Sequence, residues 1–156
     1  MFGFSKKKID TAVYAPVKGR CIDITQVEDV AFSSKVMGDG VAIVPADNVI
    51  KAPCDGKITM FFETGHAFGI QADNGAELLI HIGIDTVNLN GSGFEKLKKV
   101  HARVKKGDPI VRFDLEKMSV QYDMTTMVIV TNGKAFRKPM LGQQTDTESP
   151  ILEEIA

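Results

Sequence analysis

Glycine spacing limits this chain to short elements of secondary structure. Fourteen glycines are scattered along its 156 residues, and the segments between them are rich in Val, Ile, Phe and Thr. Such segments are typical of β-strands when Gly, Asp, Asn or Pro bounds them. Little of the chain has sustained helical periodicity. We therefore predict an all-β protein, an antiparallel sandwich or barrel, with strands that include residues 41–44, 57–62, 67–71, 77–82, 109–113 and 127–131.

The remaining segments predict one or two short helices and a last strand. Asp114 is placed to cap a helical turn over residues 114–118, since Asp is a favoured N-cap residue. A second helical turn is predicted over residues 94–100. The tail from residue 145 to residue 156 contains Pro, Ile and Leu and is expected to end in an edge strand.

An internal repeat indicates two related halves. The pattern Ala-Pro-x-x-Gly occurs at residues 15–19 and again at 52–56, and a β-prone segment follows each copy. Proline fixes φ at the start of such a corner and glycine permits the turn. Residues 38–41 and 107–110 form a second pair of similar corners. We expect one domain over residues 13–156 and a flexible tail over residues 1–12.

Composition and charge exclude several classes of protein. The net charge of -1 gives no electrostatic reason to expect nucleic acid binding. No stretch approaches the roughly 20 apolar residues of a transmembrane helix. Cys21 and Cys54 do not form a CxxC pair, so we interpret them as reduced, buried thiols of a cytoplasmic protein.

Two of the three histidines flank the clearest hairpin signal in the sequence. His66 and His81 stand on either side of Ala72-Asp73-Asn74-Gly75. A four-residue loop there places them directly opposite each other, and a two-residue loop makes them diagonal neighbours, with Cβ atoms roughly 4.5 to 8 Å apart. A three-residue loop would turn them to opposite faces.

Strand alternation then describes the surroundings of the two histidines. On the second strand, one face is expected to be core and the other to carry His81. On the first strand, one face is expected to carry His66. The core face is Leu78, Ile80, Ile82 and Ile84; the His81 face is Leu79, His81, Gly83 and Asp85; the His66 face is Phe62, Thr64, His66 and Phe68.

Several chemistries fit this pair. A neutral imidazole is a nucleophile near physiological pH and accepts a phosphoryl group on one ring nitrogen. A second histidine and the Thr64 hydroxyl would then donate hydrogen bonds to the transferring oxygens. A zinc site with Asp85 as third ligand and a chance pairing on a half-buried face both remain open from spacing alone. His101 follows a lysine-rich segment and is interpreted as a surface residue.

A longer motif narrows the choice. Residues 62–68 read Phe-Glu-Thr-Gly-His-Ala-Phe, and residues 77–87 read Glu-Leu-Leu-Ile-His-Ile-Gly-Ile-Asp-Thr-Val. Together with residues 15–16, 36–40, 52–56 and 104–108, this resembles the glucose-type IIA component of the bacterial phosphoenolpyruvate-dependent sugar phosphotransferase system. The resemblance implies an antiparallel β-sandwich or barrel with an internal repeat, the duplicated hybrid motif.

The resemblance also implies the chemistry. His81 would be the phosphoacceptor of a phosphotransferase component with a phosphohistidine intermediate. His66 would stabilise the phosphoryl group, and Thr64 would orient a histidine. The donor would be the phosphohistidine of HPr, and the acceptor would be a cysteine of a IIB domain on a separate, permease-bearing chain. The protein would be cytoplasmic and would reach the inner face of the membrane transiently, through the permease.

Partners and metal follow from the same resemblance. The partner-binding patch would comprise Phe32, Phe62, Leu79 and Val87, with Asp29 and Asp85 at its rim. Regulatory targets such as permeases or glycerol kinase are expected in this family. No cofactor is required, and zinc would bind through His66 and His81 with a carboxylate of a partner. Ala31, Asn88 and His101 depart from the family pattern.

Two alternative functions accompany this hypothesis. One is a zinc-dependent hydrolase on a related β-fold, which rests on fold analogy and lacks the His-x-His and HExxH patterns. The other is a regulatory binding module that histidine phosphorylation switches, because a negative charge on His81 would repel partners that fit the neutral site.

Overall fold

Short antiparallel strands make up most of the structure, a computed structural model that describes residues 8–155. The predicted all-β class is confirmed. The predicted flexible tail lies mainly on residues 1–7, outside the described residues. The strands are β1 (Val13–Tyr14), β2 (Gly19–Asp23), β3 (Asp39–Pro45), β4 (Val49–Lys51), β5 (Gly56–Phe61), β6 (Ala67–Ala72), β7 (Glu77–Ile82), β8 (Phe94–Lys96), β9 (Arg103–Val104), β10 (Pro109–Phe113), β11 (Thr126–Val130), β12 (Phe136–Arg137), β13 (Gln144–Thr145) and β14 (Pro150–Glu154).

These strands form one large sheet and two small ones. The large sheet has eight strands in the order β13-β2-β3-β11-β7-β6-β5-β9. The small sheets have the orders β1-β14-β12 and β4-β10-β8. The predicted strand near the C-terminus is therefore present as β14. Its edge position was wrong, because β14 has β1 on one side and β12 on the other.

Both faces of the large sheet are covered, so its central strands are apolar throughout. All five residues of β11 are buried. Val128 and Val130 pack in the main core, whereas Met127 and Ile129 pack in a second cluster on the opposite face. Strand alternation sends neighbouring side chains to these two layers. The main core includes Leu78, Ile80 and Ile82, as predicted. Ile84 was wrongly assigned to that face and lies in the second cluster, because the chain turns at Gly83, where φ is +79°.

The repeated Ala-Pro-x-x-Gly corners lead directly into strands, as predicted. β2 begins at Gly19 and β5 begins at Gly56. A Cβ atom on Gly19 would lie 2.0 Å from the carbonyl oxygen of Val44, and one on Gly56 would lie 2.5 Å from that of Gln71. Each repeat therefore uses its glycine where the neighbouring strand approaches too closely for a side chain.

Two α-helices of one turn each are found in the described part of the chain, α1 (Val30–Ser33) and α2 (Leu115–Met118). The Asp114 carboxylate accepts a hydrogen bond from the Lys117 N–H and caps α2, as predicted. The helix predicted over residues 94–100 was wrong. Phe94 starts β8 instead and lies opposite Phe113 of β10, so sheet pairing overrides the local preference.

The two cysteines are buried in the core and form no disulfide. Burial raises the pKa of the Cys21 thiol to about 11 and that of the Cys54 thiol to about 12. The prediction of buried thiols is confirmed, and both are protonated at neutral pH.

Candidate active site

The hairpin of β6 and β7 has a three-residue loop. Ala67 lies opposite His81, and the Ala72 N–H donates to the carbonyl oxygen of Ala76 at 2.9 Å. Both predicted loop lengths were therefore wrong. The Asn74 side chain stabilises this three-residue turn, because its Oδ1 accepts the Ala76 N–H at 2.8 Å. Gly75 supplies the positive φ of +94° that the turn requires.

His66 nevertheless reaches His81, because it lies outside the strand. β6 begins at Ala67, and the Phe62 N–H donates to the Ala67 carbonyl. Residues 63–66 thus form a loop, in which Gly65 has a φ of +80°. The centroids of the two imidazole rings are 5.1 Å apart, with the planes at 77°. The predicted contact is confirmed, whereas the common face predicted for the His66 strand was wrong: Phe68 is fully buried in the main core.

His81 takes its direction from the row of residues beside it. Ile22, Ala42, Met127 and His81 lie opposite one another on successive strands β2, β3, β11 and β7. Side chains in such a row share one face of the sheet. The His81 ring therefore lies on the side of the second cluster, at the end of an apolar row, where Phe32 of α1 covers it at 4.9 Å between ring centroids.

A backbone carbonyl fixes the tautomer of His81. Its Nδ1 atom lies 2.9 Å from the carbonyl oxygen of Gly83. Since a carbonyl only accepts hydrogen bonds, Nδ1 carries the hydrogen and Nε2 keeps a free electron pair. His81 is therefore held in the tautomer whose Nε2 is available to accept a hydrogen bond or to act as a nucleophile.

His66 is held in a similar way by a side chain. The Thr64 hydroxyl lies 2.5 Å from Nδ1 of His66. If the hydroxyl donates this hydrogen bond, Nε2 of His66 carries the hydrogen and becomes a donor. A pair in which one Nε2 is a nucleophile and the other is a donor is suited to transferring an anionic group.

Burial keeps both histidines uncharged. Burial and, to a smaller extent, the nearby His66 together lower the pKa of His81 to about 4. His66 is only 2% exposed, and burial lowers its pKa as well. At physiological pH both rings are therefore neutral, and protons do not compete for Nε2 of His81.

Aromatic side chains surround the pair. The Phe62 ring meets His66 edge-on at 5.0 Å, and the Phe94 ring lies 6.5 Å from His66. The sequence pattern did not identify Phe94 as part of the site, because residues 94–100 were assigned to a helix. The pairing of Phe94 with Phe113 in β8 and β10 brings it next to His66.

The predicted partner patch contains both exposed and buried residues. Phe62 and Val87 are 42% and 49% exposed, whereas Phe32 is 5% exposed and Leu79 is half-buried. Asp29 caps α1 through the Ala31 N–H, and Asp85 is exposed with a φ of +61°. Val30, which follows the cap of α1, is 76% exposed. The sequence pattern missed it, although an apolar residue directly after an N-cap aspartate on a one-turn helix has little room to be buried.

The arrangement around the pair does not by itself assemble a metal site. Among residues 8–155, no three His, Cys, Asp or Glu side chains cluster as metal ligands, and Asp85 therefore does not complete a site with the two histidines. His101, the third histidine, is exposed as predicted. The helices described between residues 8 and 155 are too short and polar to cross a membrane.

Known proteins share the sequence pattern of this chain. The family model for the phosphoenolpyruvate-dependent sugar phosphotransferase system, EIIA 1, matches residues 11–136. The glucose-specific EIIA component of Borreliella burgdorferi is 42% identical over 130 residues, which are 83% of this chain and 69% of that protein. The same component of Haemophilus influenzae is 41% identical over 134 residues, covering 85% and 81%.

A longer relative and a solved structure add to this. The glucose-specific EIICBA component of Staphylococcus saprophyticus is 47% identical over 121 residues, which are 77% of this chain and only 18% of that protein. The solved structure of glucose permease IIA from Mycoplasma capricolum superposes with a TM-score of 0.80 at 36% identity and covers 97% of this chain and 98% of that one.

Proposed function

Because this chain belongs to the EIIA 1 family of the phosphoenolpyruvate-dependent sugar phosphotransferase system, we propose that it carries a phosphoryl group on Nε2 of His81. The observation that carries the proposal is the hydrogen bond from Nδ1 of His81 to Gly83, which leaves Nε2 as the free nucleophile. The donor is the phosphohistidine of HPr, and the acceptor is a cysteine of a IIB domain.

The phosphoryl transfer requires neither a metal ion nor a nucleotide. The electron pair on Nε2 of His81 attacks the phosphorus, and the nitrogen–phosphorus bond of the donor breaks. The donor nitrogen takes back the electron pair of that bond, and His81 keeps its Nδ1 hydrogen on the Gly83 carbonyl. In the second step a cysteine thiolate attacks the phosphorus, and Nε2 recovers its pair. Positioning and charge stabilisation are thus the main tasks of the protein.

His66 is assigned the stabilising role. With the Thr64 hydroxyl donating to Nδ1 of His66 at 2.5 Å, Nε2 of His66 carries a hydrogen that is directed to a phosphoryl oxygen. The ring distance of 5.1 Å supports this, because it leaves room for such a contact between the two imidazoles. Donors that are fixed before the reaction stabilise a developing negative charge without a reorganisation cost.

The apolar side chains around the histidines exclude water and contact the two protein partners. Phe62 is partly exposed beside His66, and Val87 and Val30 of α1 are further exposed apolar side chains. The carboxylates of Asp29 and Asp85 lie near enough to raise the pKa of His81, against the larger effect of burial. We assign a partner face that is apolar at its centre and basic at its rim.

The sugar-uptake role follows from the relatives. Two of them are named glucose-specific EIIA components, and in the EIICBA relative the matching segment is 18% of a longer chain. We propose that the present chain serves a IIB domain of a sugar permease. It would work in the cytoplasm and meet the membrane only through that permease.

The experiment is a labelling assay with phosphoenolpyruvate, enzyme I and HPr. The protein should acquire acid-labile label, and His81→Ala should acquire none. His101→Ala is the matched control, since it removes an exposed histidine and should label fully. Full label on His81→Ala would overturn the assignment.

A second role follows from the surroundings of His81. Phosphorylation would place a negative charge beside the rings of Phe32 and Phe62, and this would repel a partner that fits the neutral, apolar site. We propose that permeases or glycerol kinase bind the unphosphorylated form. Equal affinity of one such partner for the phosphorylated and unphosphorylated protein would contradict this.

Zinc is proposed only in a partner complex. The Nδ1 atoms of His66 and His81 are both in hydrogen bonds, so Nε2 is the ring atom that each would offer to a metal. In His66 the hydrogen would move from Nε2 to Nδ1, which would then donate to the Thr64 hydroxyl. Two imidazoles leave a tetrahedral zinc ion incomplete, and a carboxylate of the partner would supply a third ligand. Zinc should therefore tighten such a complex, and His66→Gln should abolish that effect while leaving the metal-free affinity unchanged.

A further inference from the structure

The peptide unit between Gly83 and Ile84 is fixed on both sides. Its carbonyl oxygen accepts the hydrogen bond from Nδ1 of His81 at 2.9 Å. Its N–H, which belongs to Ile84, donates to the carbonyl oxygen of Asp123 at 2.8 Å. In a planar trans peptide the C=O and N–H point in opposite directions. The hydrogen bond to Asp123 therefore determines where the carbonyl that holds His81 points.

A compact turn before β11 provides this support. The Asp123 Oδ1 atom accepts hydrogen bonds from the Thr125 N–H at 2.9 Å and from the Thr125 hydroxyl at 2.6 Å. The Thr125 carbonyl oxygen in turn accepts the N–H of Gly83 at 3.1 Å. The two side chains thus fold residues 123–125 so that the carbonyls of Asp123 and Thr125 both face the Gly83–Ile84 segment.

The packing around Gly83 is tight, so a change in the turn of residues 123–125 would move the Gly83 backbone. A Cβ atom on Gly83 would lie 2.5 Å from Cγ2 of Thr86, 3.1 Å from Sδ of Met124 and 3.3 Å from the Asp123 carbonyl oxygen. On the other side, the Thr86 hydroxyl donates to the Ile82 carbonyl at 2.5 Å. The backbone of Gly83 therefore has little freedom to rotate while the turn stays intact.

We propose that Asp123 and Thr125 are positioning residues for phosphoryl transfer: through the Gly83–Ile84 peptide, they hold His81 in the tautomer that presents Nε2. Neither side chain has to touch the phosphoryl group. The role rests on the proposed function of His81, but its structural part, the tautomer of the unphosphorylated ring, is measurable without any transfer reaction.

The test compares variants that break the turn with variants that keep it. Thr125→Val removes the hydroxyl while preserving the shape of the side chain, and Asp123→Ala removes the acceptor from an exposed residue. Thr125→Ser and Asp123→Asn keep the donor and the acceptor and should restore the wild-type behaviour. Thr145→Val is the matched control, because it too removes a buried hydroxyl that donates a hydrogen bond, in this case to the backbone carbonyl of Gly19, away from His81.

Two readouts are needed. Nitrogen NMR of the unphosphorylated protein identifies which ring nitrogen of His81 carries the hydrogen, and the initial rate of labelling by HPr measures transfer. In the wild type and in Thr145→Val, Nδ1 should carry the hydrogen. In Thr125→Val and Asp123→Ala, a second population with the hydrogen on Nε2 should appear, and labelling should slow roughly tenfold or more, since small misplacements of reacting groups have effects of this size or larger.

The outcomes separate the two proposals. An unchanged His81 tautomer with an unchanged labelling rate in folded Asp123→Ala protein would overturn the positioning role and leave His81 as the carrier. A shifted His81 tautomer in the variants, together with no label even on the wild type, would support the control of the tautomer by Asp123 and Thr125 and overturn the carrier function. If Thr125→Val does not fold, Asp123→Ala still decides, because the exposed carboxylate makes no other hydrogen bond in the described structure.

Discussion

His66 and His81 face each other with their ring centroids 5.1 Å apart, and each has its Nδ1 atom in a hydrogen bond, one to Thr64 and the other to Gly83. The two rings are therefore fixed through the same atom, but the partners differ in chemistry. A carbonyl forces His81 to donate, whereas a hydroxyl is free to donate to His66. We expect this difference to give the two histidine side chains unequal roles.

The unequal roles predict different defects. His66→Gln should still accept a phosphoryl group from HPr, because Nε2 of His81 remains free. It should pass the group to a IIB domain about 100-fold more slowly, since one fixed donor to the phosphoryl oxygens is lost. Rapid-quench measurement of each step separates the two rates.

Substitutions of Thr64 test the same role of His66 independently. Thr64→Val removes the hydrogen bond to His66 and should slow the second step in the same direction, whereas Thr64→Ser keeps the hydroxyl and should be close to wild type. Normal transfer to the IIB domain by His66→Gln would contradict the role of His66.

The pKa of His81 predicts how stability depends on pH. Burial and His66 lower that pKa to about 4 in the folded protein, against about 6.5 in an unfolded chain. Between these values the unfolded state binds more protons, so the free energy of unfolding falls as pH drops from about 7 to about 4. The shift of His81 corresponds to at most about 3–4 kcal/mol of unfolding free energy, at 1.36 kcal/mol per pKa unit.

Denaturant unfolding at several pH values checks this prediction. His81→Gln lacks the titrating group and should lose less stability than the wild type over the same interval, while His66 continues to contribute to both proteins. Equal pH dependence in the two proteins would show that His81 is not buried in the neutral form.

The fold was predictable to a large extent because its local signals agree. Residues 77–82 and 109–113 were assigned to strands that the structure places at the same bounds, β7 and β10. Alternating apolar residues and flanking turn residues determine such strands locally. The helix assigned to residues 94–100 failed because nothing local reveals that β10 pairs with this segment.

The contact between the two histidines was predictable from the sequence, but the geometry that produces it was not. His66 and His81 were expected to meet through strand register, but they meet because His66 lies in the loop before β6, where Gly65 has a positive φ. A loop length is set by side-chain contacts such as that of Asn74 with Ala76, which alternation does not encode. The contribution of Asp123 and Thr125 was likewise hidden, since it depends on a contact between residues some 40 positions apart.

Gly83 offers a test of how closely the backbone is packed behind His81. Gly83→Ala combines a φ of +79° with a Cβ atom 2.5 Å from Thr86. Gly75→Ala has a similar φ of +94° but nothing within 4 Å of the new Cβ. Both variants should lose about 1 kcal/mol of stability, because alanine is strained in a left-handed backbone conformation.

The difference in stability between these two variants measures the cost of the contact between the new Cβ atom and Thr86. Gly83→Ala should be less stable than Gly75→Ala by a further 1–3 kcal/mol, roughly the cost of overpacking, and it should also label more slowly, because the carbonyl that holds His81 moves. Thermal or denaturant unfolding measures the first effect. Equal stabilities would mean that the segment around Gly83 relaxes freely.

Phe62 should contribute to partner binding rather than to the chemical step. Its ring is 42% exposed and contacts His66 edge-on at 5.0 Å, so it presents an apolar surface next to the transferring group. Phe62→Ala should raise the KM for phospho-HPr roughly tenfold, the effect of losing an interface residue worth about 1.4 kcal/mol, with kcat changed less. Val120→Ala is the matched control, because Val120 is 82% exposed and lies outside the predicted patch. A fall in kcat with an unchanged KM would instead place Phe62 among the residues that orient His66, and equal effects of the two substitutions would remove Phe62 from the partner surface.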